Sequence, residues 1–79
     1  MAPYFTLENV VDGNAFSIIS YVRSAMKSAK MSGRDIDEYT TDATSADYNH
    51  LLIISCEMLE RVNETIEPMY DEDEEDEDY

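Results

Sequence analysis

The chain has 79 residues, a formal net charge of −14 and one cysteine, Cys56. That length supports one small domain burying only about 60% of its unfolded surface, and a lone cysteine excludes an intramolecular disulfide framework. So acidic a surface repels nucleic acid and anionic lipid and attracts basic protein surfaces across about 8 Å of physiological salt solution, so the chain itself is expected to bind neither nucleic acid nor membrane.

Residues 1–13 read as an extended arm. Pro3 precedes the β-leaning Tyr4, Phe5, Thr6 and Leu7, and Asp12-Gly13 is a turn signal. Phe5 and Leu7 are expected to pack onto the helices that follow. The arm lacks a basic n-region and carries Glu8 and Asp12 where an apolar leader would sit, so the expected setting is soluble and cytoplasmic. In that setting the Asn63-Glu64-Thr65 tripeptide is a chance match to a glycosylation acceptor.

Asn14 is positioned to cap a first helix. Ala15, Ile19, Val22, Met26 and Ala29 then recur at helical spacing, with Ile18 and Ala25 widening the stripe. Ser32-Gly33 predicts its stop, with Gly33 supplying the left-handed residue. Arg23, Lys27, Lys30 and Arg34 follow the same rhythm as a basic row. Such a row complements the helix dipole and pairs with acidic neighbours, or else binds phosphate against the overall charge.

A shorter second helix is expected from Ser32 to Ala43, with Ile36, Tyr39 and Ala43 on one side and Asp35, Asp37 and Glu38 near its start. Thr40-Thr41 weakens it. The third helix begins after a Thr44 or Ser45 cap. Tyr48, Leu51, Leu52, Ser55, Met58, Leu59, Val62 and Ile66 form its buried face, and Pro68 marks its end or just beyond. The longest uninterrupted apolar run in it, residues 51–54, is far too short to span a bilayer. The expected fold is therefore all-α. It comprises an arm over 1–13, a three-helix domain over 14–68 and a disordered acidic tail over 69–79.

The stretches "DGNAFSII" and "GRDIDEYTTDATSADYNHLL" carry Gly13, Asn14, Ala15, Phe16, Ile36, Tyr39, Ala43, Asp47, Tyr48, Leu51 and Leu52. In these residues the chain resembles a group of short proteins of bacteriophages and integrative mobile elements, over about residues 12–54. The resemblance implies a bacterial or phage setting and brings no activity with it. The long acidic tail departs from the pattern, so a function lodged there need not be shared.

The residues argue against chemistry. An EF-hand register begun at Asp35 meets Asp37 and Tyr39, then Thr40 where glycine is required and Ala46 where the bidentate glutamate belongs. His50 and Cys56 are too far apart along a helix to share a metal or form a nucleophile–base pair. His50 reads instead as a first-turn residue, solvated or paired with Asp47. No enzyme, metal or cofactor is expected.

Two arrays of carboxylates remain. Glu57, Glu60, Glu64 and Glu67 step along the outer face of the third helix, interrupted on that side by Arg61 alone. The run Asp71, Glu72, Asp73, Glu74, Glu75, Asp76, Glu77 and Asp78 follows, between Tyr70 and Tyr79. A face of charges on a helix is first of all a solvated face. Carboxylates about 5–6 Å apart also imitate a phosphate backbone, and the tyrosines suit base-stacking positions. One expectation is thus a nucleic-acid mimic that blocks a basic groove of a host nucleic-acid-binding protein or defence nuclease, through Glu57, Glu60, Glu64, Glu67 and residues 70–78. A second is a small helical interaction module, homodimeric or bound to another protein, whose tail only solubilises or shields the basic row. In a third the basic row binds nucleic acid and the tail competes with it.

Overall fold

Among the described residues, three helices and one short turn account for the regular structure: a 3-10 turn over Leu7–Asn9, then α1 (Ala15–Ser28), α2 (Gly33–Ala43) and α3 (Tyr48–Asp76). The structure, a computed structural model, describes residues 3–76, with side chains for residues 3–69. No strand occurs among the described residues, so the domain is all-α with three helices, as the periodicity predicts.

The first helix starts where its cap is written. Asn14 is extended (φ −70°, ψ 139°), and its side-chain oxygen accepts the Phe16 N–H at 2.8 Å. Gly13 lies in the left-handed region at φ 65°. Asp12 braces this corner by accepting from the Asn14 N–H at 3.1 Å and the Ser17 hydroxyl at 3.2 Å. Ile18, Val22, Ala25, Met26 and Ala29 are buried along α1. Ala15 was expected on that stripe but is exposed, because it stands in the first turn at the edge of an open groove shared with Ala43 and Leu51.

The end of α1 differs from expectation. The left-handed residue is Lys30 (φ 61°), whereas Gly33 opens α2. The Lys30 N–H bonds to the Lys27 carbonyl at 2.9 Å and the Met31 N–H to the Met26 carbonyl at 3.1 Å. This pair of reversed bonds closes the helix as a Schellman motif, and Met31 packs against the core. Lys30 and Arg34 therefore leave the face of α1 that carries Arg23 and Lys27, and the basic row is split between two elements.

Ser32 caps α2 by accepting the Asp35 N–H at 3.1 Å, and Ile36, Tyr39 and Ala43 are buried as expected. Thr40 is accommodated because its hydroxyl donates to the Ile36 carbonyl at 2.8 Å. Thr44 and Ser45 do not cap α3. Their hydroxyls turn back to the carbonyls of Thr40 and Asp42, at 2.9 and 2.7 Å, and close α2 instead. Asp47 caps α3, its carboxylate accepting the His50 N–H at 3.0 Å. The His50 ring reaches a different acid, bonding through Nε2 to Asp42 at 3.0 Å.

Leu51, Ser55, Leu59, Val62 and Ile66 form the inner face of α3, which packs on both other helices. The helix does not stop at Pro68 but continues to Asp76, with Pro68 inside it. An interior proline has no N–H to donate to the carbonyl four residues back, so the helix runs past Pro68 with one backbone hydrogen bond fewer. The predicted tail thus begins as helical backbone, and residues 77–79 lie outside the described part. The molecule measures 50 × 27 × 15 Å, elongated by this one helix of 29 residues, about 44 Å at helical rise.

The arm is tied down at two points. The Asn63 amide accepts from the Phe5 N–H and donates to the Phe5 carbonyl, both at 2.9 Å. The Tyr21 hydroxyl accepts from the Thr6 N–H at 3.0 Å and the Asn9 amide at 2.9 Å. Phe5, Leu7 and Val10 pack against the core, and Phe5 meets Tyr21 edge-on at 5.9 Å.

Ser55 is the one buried polar residue among the described residues, and its hydroxyl lies 2.7 Å from that of Tyr39. Burial raises the Tyr39 pKa above its ordinary 10.0, while the Ser55 hydrogen bond lowers it by less. The resulting contribution to stability is fully present below pH 10 and is lost as pH rises through the raised value. Ser55→Ala strands the phenol and should cost about 1–3 kcal/mol. Adding Tyr39→Phe should recover much of that loss. Urea unfolding of both single variants and the double variant checks this; losses that simply add would deny the coupling.

Candidate functional site

The face of α3 opposite Ser55 carries the predicted acidic row. Glu57, Glu60, Glu64 and Glu67 are all exposed. At 3.6 residues per turn they fall within an arc of about 80° and span about 15 Å along the axis. Their register follows from the core, because Leu59, Val62 and Ile66 point inward and leave these four positions outward. The helix that sets their spacing continues past Pro68 to Asp76.

Tyr70, Asp71, Glu72, Asp73, Glu74, Glu75 and Asp76 stand on that helical backbone, and their side chains lie outside the described residues. Glu77, Asp78 and Tyr79 lie outside altogether.

Charge is poorly compensated on this side. Among the described residues the acid–base contacts are Arg34–Glu38 at 3.4 Å, exposed and spaced i,i+4, and His50–Asp42 at 3.0 Å. None of the four glutamates takes part in either. Arg23, Lys27 and Lys30 also form no ion pair among the described residues, so most of the basic row is not absorbed by internal salt bridges. Lys27 does lie in the last turn of α1, where a cation favours the helix dipole.

Residues of the DGNAF and DY segments, far apart in sequence, meet at the opposite end of the molecule, where the Tyr48 hydroxyl donates to the Gly13 carbonyl. Phe16 and Val11 beside this junction are 82% and 99% exposed. Tyr48, expected on the buried face of α3, is 46% exposed, its hydroxyl reaching outward to the Gly13 turn. Sequence reasoning misses a second exposed acidic stripe, Asp35, Glu38 and Asp42, spaced by three and four along α2. The spacing is visible in the sequence, where Asp35, Asp37 and Glu38 read as charges near the start of the helix and Asp42 is not singled out.

No helix among the described residues is long and apolar enough to cross a membrane, and no cluster of three or more metal-ligating side chains occurs among them. No family model matches the chain, and no curated protein or solved structure matches it either.

Like charges three and four residues apart destabilise a helix by about 0.2–0.5 kcal/mol per pair. Replacing Glu57, Glu60, Glu64 and Glu67 together by Gln should therefore raise the melting temperature at low salt, with the gain shrinking as salt screens the repulsion. Thermal unfolding across a salt series reads this directly. A lower melting temperature would show that the row serves the fold.

Proposed function

We propose that this chain is a non-enzymatic, cytoplasmic protein of a phage or mobile element that acts as a nucleic-acid mimic. Its target is a basic groove on a host nucleic-acid-binding protein or defence nuclease. The observation that carries this reading is the α3 row: four carboxylates, without an ion pair among the described residues, on one exposed face of a helix whose opposite face is the core. Held on a packed helix, the carboxylates lose little freedom when they meet a row of Lys and Arg. Capture by such a groove releases the anions bound there, as nucleic acid does. The acids of residues 71–78 extend the same charge, with Tyr70 and Tyr79 suited to stacking positions.

A second reading rests on the exposed Phe16 and Val11 beside the open groove of Ala15, Ile19 and Leu51. In it the helical body docks on another protein, or on a second copy of itself, through apolar contact, and the tail only solubilises.

Three baits separate the two: the whole chain, a chain stopped after Met69, and the variant with Gln at 57, 60, 64 and 67. The mimic reading expects a basic nucleic-acid-binding protein on the whole chain, held about a hundredfold more weakly at 200 mM than at 50 mM salt. Both altered baits should lose it. A partner held equally by all three, or one indifferent to salt, would overturn the mimic and turn attention to the Phe16 corner.

A further inference from the structure

We propose that the groove between α2 and α3 receives a cationic amphipathic helix of a partner protein. The site goes beyond the mimic reading, since it shares only Glu57 with the outer row of α3 and needs nothing from the tail. Its floor is apolar and half-exposed, formed by Met31, Ile54 and Met58. Its rim is acidic on both sides, with Asp35, Glu38 and Asp42 on α2 and Glu57 on α3. Arg61 is the one base lining it, while Arg34 reaches Glu38 and His50 reaches Asp42 from outside the groove.

These features select the occupant. Half-exposed thioether side chains on flexible stems adapt to varied apolar shapes. From Ile54 to Arg61 the groove follows α3 for about 10 Å, which accommodates apolar residues at i, i+3 or i+4 and i+7 of a bound helix. The acidic rim then attracts Lys or Arg flanking that stripe and repels nucleic acid, acidic peptides and a second copy of a chain carrying −14.

The test uses the full chain with carbon-13 methionine methyls. The probe is a peptide of leucine and lysine, about five helical turns long, with its leucines on one face. Control peptides are a scrambled sequence of equal charge and a version with glutamate in place of lysine. The expected result is saturable shifts of the Met31 and Met58 methyls, none at the buried Met26, and binding of the scrambled peptide weaker by roughly tenfold or more. Ile54→Gln, at a half-exposed position, should weaken the leucine–lysine peptide by a similar factor. So should the pair Asp35→Asn and Glu57→Gln, which leaves the apolar floor intact. Equal binding of the scrambled peptide, shifts confined to methyls outside the groove, binding of the glutamate peptide, or no binding would each overturn the proposal.

Discussion

The hydrogen bond between Tyr39 and Ser55 is the constraint that locks α2 against α3, the two helices on which both candidate surfaces lie. A hydroxyl buried among Leu51, Leu59 and Val62 needs a partner, and Tyr39 supplies it from α2 at 2.7 Å. This contact selects one register of α2 against α3. On α3 itself the apolar positions turn Leu59, Val62 and Ile66 to the core, which leaves Glu57, Glu60, Glu64 and Glu67 in water. The groove above Met31 and Met58 is the seam between the same two helices. Inner packing and outer charge are thus two sides of one placement.

Much of this was legible because it rests on local rules. Asn14 is a cap by its chemistry, the buried positions of α1 and α2 recur at 3.6 residues, and four glutamates spaced by three and four must share a face. The misplaced boundaries were competitions between two adequate candidates. Gly33 looked like the left-handed terminator, but the chain turns three residues earlier at Lys30, which lets Met31 cover the core. Thr44 and Ser45 looked like caps for α3, yet their hydroxyls reach the last carbonyls of α2 first and leave the role to Asp47. Pro68 marks a weakened hydrogen-bond ladder rather than an end, a distinction that local sequence does not carry.

The acidic row could be read at the level of one helix, so its exposure was foreseeable. The groove could not, because Met31, Ile54 and Met58 meet only once α2 and α3 are laid together. The arm shows the same limit. Its packing through Phe5 and Leu7 follows from hydrophobicity, but the Asn63 amide that grips the Phe5 backbone lies 58 residues away in the chain.

The charge distribution is what sets this domain apart from an ordinary small helical bundle. Exposed helices commonly alternate signs and gain pairs, whereas here the glutamates of α3 gain none among the described residues and repel one another. The proposed mimic role assigns this unfavourable arrangement a counterpart, a basic surface that meets it. Competition is the most direct measurement of that idea. A basic partner captured by this protein is titrated with short duplex DNA while its occupancy by the protein is followed. The mimic account predicts mutual exclusion, with the apparent dissociation constant of the protein rising in proportion to DNA concentration. A ternary complex, with DNA and protein bound together and neither weakening the other, would contradict it.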